Sequence, residues 1–165
     1  MALNGLETSS EVSLRDLYNL PSLKETGDQS WREKARCKGL SVDLFFPKKK
    51  DIKTNHLLVA NSRLVCAGCP VRKECLQFAV DNVITHGMYG GVMPRDRRTG
   101  HLEFVNGEIP FTQVLTDFRR ANSLGTKNPI PETMIPDLAK AINRTLSEVR
   151  EMMKTPNTVL LTSGD

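Results

Sequence analysis

The sequence predicts a mostly α-helical protein: a small helical domain stapled by four cysteines, then a short β-hairpin and a helical extension. Three observations carry this. Of 165 residues, 39% are apolar but only 5% are aromatic. That is too little bulk for one core filling the whole chain, and it suits a small core that needs a staple. Helical periodicity recurs on both sides of the cysteines Cys37, Cys66, Cys69 and Cys75. The charge is also uneven. Residues 31–100 carry 14 basic against 6 acidic side chains, a net of +8, whereas residues 1–30 are at −3 and residues 101–165 at −1. A basic block of this kind is either a phosphate-facing surface or a solubilising one.

Residues 1–30 are rich in Ser, Thr and Glu with weak periodicity, and Pro21 stops the one helical turn that Ser13–Leu20 could form; they read as a mobile leader. Trp31–Gly39 reads as helical, with Gly39 as its stop. Asp43–Pro47 is an apolar knot closed by proline, and Lys48–Lys53 is a solvated charged loop. Asn55–Val65 has apolar residues at helical spacing and leads into Cys66. Pro70 suits the first turn of a second helix, where its missing N–H costs nothing. Val71, Cys75, Phe78 and Ala79 share one face of that helix, which should run to about Asn82. Gly87-Met88-Tyr89-Gly90-Gly91 can only be a tight turn.

Beyond residue 100, Glu103-Phe104-Val105, Asn106-Gly107 and Glu108-Ile109 read as a hairpin around the strongest two-residue turn signal. Thr112–Ala121 is a short amphipathic helix, Ser123–Pro131 a loop, and Met134–Lys154 two further helices. The last pair matches a helix-turn-helix: Ala139 at the crossing, Asn143 at the left-handed turn position, Thr145 as cap, Val149 and Met152 as packing residues. Thr145, Leu146, Ser147 and Arg150 would then face a major groove, although Glu148 and Glu151 on the same helix oppose a phosphate surface. The organisation expected is a leader (1–30), a cysteine domain (31–100), an extension (101–154) and a flexible tail (155–165).

Met1–Ser10 has neither the basic nor the apolar region of a signal peptide, and no stretch is apolar over a bilayer's width. A cytoplasmic location without membrane contact is expected, and there four cysteines read as a metal or redox site before a disulfide framework. Thiolates are soft ligands, and four of them suit either zinc or an iron–sulfur cluster. Spacing alone does not separate the two. A dithiol oxidoreductase using Cys66 and Cys69 is disfavoured, because no βαβ pattern surrounds the pair. His56, His86 and His101 form no ligand pattern. No catalytic constellation is present, so an enzyme is not expected.

The order Cys37, Cys66-x-x-Cys69-x5-Cys75, Gly-rich turn and basic stretch resembles the WhiB-like family of actinobacteria and their phages. Trp31-Arg32-Glu33, Leu44-Phe45-Phe46-Pro47 and Cys69-Pro70-Val71-Arg72-x-Glu74-Cys75 support the likeness, which covers about residues 31–98. The resemblance implies one [4Fe-4S] cluster on the four cysteines, with zinc as the alternative. Trp31, Phe45 and Phe46 would wall it. It also implies a regulator of transcription that responds to redox state or nitric oxide. Gly87, Met88, Tyr89, Gly90 and Gly91 would contact the C-terminal domain of the primary sigma factor of RNA polymerase. Arg95, Arg97 and Arg98 stand where the family places a basic region for promoter DNA. The family's turn usually carries Trp where Tyr89 stands here. A monomer on its partner is expected. A zinc-stapled interaction module, or a phage antagonist of host sigma function, are the competing readings.

Overall fold

The structure, a computed structural model, describes residues 28–48, 52–99, 109–156 and 159–160. Its first turn is a 3₁₀ helix, Ser30–Lys34, followed by turns that end at Gly39 with φ +83°. The glycine stop is where the sequence places it, but the segment is too short and tight to be the α-helix expected over 31–39. A second 3₁₀ turn, Val42–Leu44, carries the apolar knot. Helix α1 (Ile52–Ala67) starts earlier than expected and runs through Cys66. Helix α2 (Arg72–Asp81) begins two residues after Pro70. Helix α3 (Pro94–Thr99) carries the arginine cluster.

Strand β1 (Ile109–Pro110) leads into α4 (Phe111–Ala121). Helices α5 (Ile135–Ala141) and α6 (Leu146–Lys154) follow, preceded by a 3₁₀ turn at Glu132–Met134. Strand β2 (Val159–Leu160) pairs antiparallel with β1, Ile109 opposite Leu160 and Pro110 opposite Val159. The first strand and the Asn106-Gly107 turn of the expected hairpin lie outside the described residues. The described partner of Ile109–Pro110 is instead a segment of the expected flexible tail. A two-residue ladder between distant segments leaves no local pattern to read.

The main core lies between α1 and the extension. Leu64 and Ala67 of α1 pack with Ile109, Phe111, Val114, Leu115, Phe118, Ile130, Ile135, Leu138, Ala139, Ile142 and Val149. Buried inside this contact, Arg63 of α1 pairs with Asp117 of α4 at 3.2 Å, and Gln113 donates to the same carboxylate at 3.1 Å. Burial pushes the Asp117 carboxyl up and the Arg63 guanidinium pulls it back down. The extension is therefore packed on the helix that carries Cys66. It is not a separate module on a linker.

Helices α2, α4 and α5 end alike, each with a left-handed residue: Val83, Ser123 and Asn143, at φ 50°, 56° and 54°. In each, the left-handed residue and the next donate back to carbonyls of the last turn, as Asn143 to Lys140 and Arg144 to Ala139. Asn143 is the position the sequence marks. Val83 is the anomaly, since a β-branched residue is strained there.

Candidate metal centre

Three short segments bring the cysteines together. Cys37 comes from the turn after Lys34, Cys66 and Cys69 from the end of α1, and Cys75 from the first turns of α2. All four line one cavity of about 450 Å³. Its other walls are largely hydrocarbon, including Trp31, Phe45, Phe46, Val65, Val71 and Met88. The sequence-predicted wall residues Trp31, Phe45 and Phe46 are thus all in place.

Rings continue round one side of the cavity. Trp31 packs on Phe78 at 6.0 Å, Phe78 on Tyr89 at 6.4 Å, Tyr89 edge-on to Phe46 at 6.4 Å, and Phe46 on His86 at 5.9 Å. The Arg32 guanidinium caps this row, 4.6 Å from the Phe78 ring.

The glycine turn is built for the cysteines. The backbone of Gly91 hydrogen-bonds the Cys66 sulfur and that of Gly90 the Cys75 sulfur. Both glycines have positive φ, +58° at Gly90 and +83° at Gly91. A Cβ on Gly90 would sit 2.7 Å from the Arg72 carbonyl oxygen, and one on Gly91 2.9 Å from Ile109. Only glycine permits both the conformation and the approach. Gly87 is likewise closed against the Phe46 ring.

Burial, followed by the neighbouring thiols, pushes Cys66 up far beyond the ordinary thiol range. Burial lifts Cys75 to about 11, against the pull of the Gly90 hydrogen bond and Arg32. Cys37 is raised by burial and by Cys69. The sulfurs therefore lie in one another's fields, and burial disfavours the thiolate at Cys37, Cys66 and Cys75. Cations stand close by. Arg72, fully buried in the cavity wall, donates to Ala67 O at 2.9 Å at the C-terminal end of α1.

A donor set of four soft thiols, an apolar surround, sulfur-directed backbone bonds and a buried arginine fits an anionic thiolate-bound metal group. Among the described residues, no three His, Cys, Asp or Glu are grouped as the ligands of one metal ion. The cysteines face each other across a space instead. His56 and His86 do not line it, and His101 lies outside the described residues.

Two expected surfaces are narrower than the sequence suggests. In the turn, Gly87, Met88, Gly90 and Gly91 are buried, with Met88 only 4% exposed and its sulfur 3.1 Å from Ser62 Oγ. Only Tyr89 of the five offers side-chain surface. In the basic run, Arg97 is turned inward. It donates to the carbonyls of Val92 at 2.7 Å, Ile84 at 2.9 Å and Gly87 at 3.0 Å, and its guanidinium lies 5.4 Å from the Tyr89 ring. Arg97 braces the glycine turn and does not face a phosphate. Arg95 and Arg98 are exposed. Lys48 is a solvated lysine near Asp43, and Lys49 and Lys50 lie outside the described residues.

Thr145 caps α6 in a reciprocal box with Glu148, and Thr145, Ser147 and Arg150 are exposed together. Arg150 pairs with Glu132 at 2.8 Å on the surface. Arg36 and Arg63 carry no local signal, since each makes its contacts with distant segments, whereas Arg32 and Arg72 stand inside the Trp31-Arg32-Glu33 and Cys69–Cys75 motifs.

Comparison with known proteins agrees with this site. The profile of a family described as "Transcription factor WhiB" matches residues 31–99. The chain is 33% identical over 93 residues to the transcriptional regulator WhiB2 of Bifidobacterium longum, covering 56% of this chain and 86% of that protein. It is 35% identical over 68 residues to the transcriptional regulator WhiB of Streptomyces coelicolor, 41% of this chain and 71% of that protein. It is 37% identical over 68 residues to the transcriptional regulator WhiB1 of Mycobacterium tuberculosis, 41% and 80% respectively. No solved structure matches the chain, and among the described residues no helix is long and apolar enough to cross a membrane. With the four-cysteine cavity, the glycine turn and these relatives in agreement, the chain belongs to the WhiB family of transcription factors.

Proposed function

We propose that this transcription regulator carries one [4Fe-4S] cluster on Cys37, Cys66, Cys69 and Cys75, responds to oxidation or nitric oxide, and acts on the primary sigma factor and promoter DNA. The observation that carries the reading is the shared cavity: four thiols face a space with apolar walls, under backbone hydrogen bonds aimed at two of the sulfurs. A bound cluster would supply one-electron and oxidant-sensitive chemistry. The chain's own residues set how that chemistry is felt. Trp31, Phe45 and Phe46 limit water at the sulfurs. Gly90 and Gly91 stabilise negative charge there, and Arg72 and Arg32 offset it.

Loss of ligation would remove the link between the segments that carry Cys37, Cys66–Cys69 and Cys75, so those segments would part. Tyr89 is the ring a sigma-factor domain would meet, half-buried and held by Phe46, Phe78 and Arg97. Arg95 and Arg98, and on α6 Thr145, Ser147 and Arg150, are the exposed groups available to DNA.

The test is iron and sulfide content with visible absorption on protein purified without oxygen. A pull-down with the sigma C-terminal domain follows, for the native chain and Tyr89→Ala. Near-equal iron and sulfide, and capture that fails with Tyr89→Ala, support the reading. Zinc without sulfide would leave a stapled interaction module, and capture unchanged by Tyr89→Ala would remove the turn from the interface.

A further inference from the structure

Arg36 ties the extension to the segment that carries Cys37. Arg36 precedes Cys37 and sends its guanidinium across to the end of α5. Nη2 donates to Lys140 O at 2.8 Å and Nη1 donates to Ala141 O. These are the last carbonyls of α5. Ala139 and Lys140 also receive the N–H groups of Arg144 and Asn143, so Arg36 completes the cap by taking Ala141. A guanidinium suits that position twice over, through its forked donors and through its charge at the negative end of a helix.

Gly68, inside the Cys66-x-x-Cys69 turn, makes the room. A Cβ there would stand 2.7 Å from the carbonyl carbon of Ile142, 2.8 Å from its oxygen, and against Arg36 Nη1. Its φ lies outside the left-handed region, so this glycine is required by the close approach and not by its backbone angle. Thus the segment that carries Cys37, the Cys66–Cys69 turn and the α5–α6 turn meet at a single point.

We propose that Arg36 is a positioning residue that clasps the α5–α6 pair onto the cysteine centre, so that cluster retention and docking of the extension are one coupled equilibrium. The proposal rests on the cluster reading above. Cys37 is the ligand most remote in sequence and sits on a turn with little core of its own. Fixing Arg36 to α5 fixes Cys37 at the cavity mouth. Coupling is reciprocal: if docking slows loss of the cluster, the cluster must tighten docking by the same factor. The surface of α6 would then report the state of a centre it does not touch.

The experiment uses the full chain, loaded and purified without oxygen, as native protein, R36A, R36K and G68A. Decay of visible absorption under a chelator is followed, with hydrogen exchange at Leu146–Lys154 before and after cluster loss. R36A and G68A are expected to lose the cluster about fivefold faster or more. R36K, which keeps the charge at the helix end, should recover part of the difference, as a general loss of folding would not. In the native chain α6 should exchange faster once the cluster is gone, and R36A should erase that contrast. Decay of R36A at the native rate, or α6 exchange indifferent to the cluster, overturns the clasp while native iron content leaves the cluster reading standing. A native chain that takes up no iron overturns both.

Discussion

The two halves of this molecule are held together by different means. Around the cysteines, Phe45, Cys66 and Met88 form a small buried apolar cluster, with Cys37, Leu44, Phe46, Val59, Val65 and Met93 partly buried against them, and Val71, Leu76 and Phe78 are buried on the side of α2. Across α1 and the extension, thirteen buried residues form a continuous apolar core that includes Phe111, Ile109, Leu138, Ile142 and Val149. One half surrounds a space lined with thiols, and the other surrounds hydrocarbon. Helix α1 belongs to both, with Leu64 and Ala67 facing the core and Cys66 facing the cavity.

The contrast is tested most severely at a ligand. Cys37→Ala should abolish metal retention. A structural thiolate site supplies on the order of 10 kcal/mol, so residues 28–48 and 69–99 should lose hydrogen-exchange protection while Phe111–Ala121 keeps most of its own. Equal loss in both halves would show that the chain is one cooperative unit. Next in size, Phe111→Ala removes a fully buried ring from the other core. It should cost about 3–5 kcal/mol in denaturant unfolding, with the iron content of the folded fraction unchanged.

Smallest of all, Thr145→Ala removes the α6 cap and should cost about 1 kcal/mol, read as a lower melting temperature with unchanged visible absorption.

What the sequence discloses follows the range of each interaction. Gly39, Pro70, Asn143 and Thr145 act on backbone within a turn of themselves, and each marks its boundary to within about two residues. The cysteines are legible because their order and the motifs around them match a known family. Arg97 illustrates the opposite case. Beside Arg95 and Arg98 it reads as part of a phosphate-binding run, yet the carbonyls it satisfies belong to a turn whose shape no local pattern specifies. Arg36, Arg63 and the pairing of Ile109–Pro110 with Val159–Leu160 were illegible for the same reason. Met88 lies in a turn that reads as a docking loop, but its side chain fills the wall of the cavity.

The most direct test of the central claim is the native mass of the chain purified without oxygen. The expected result is a mass excess equal to one [4Fe-4S] cluster, lost as a unit on exposure to oxygen and absent from Cys37→Ala. A mass excess of a single zinc ion, indifferent to oxygen, would contradict it.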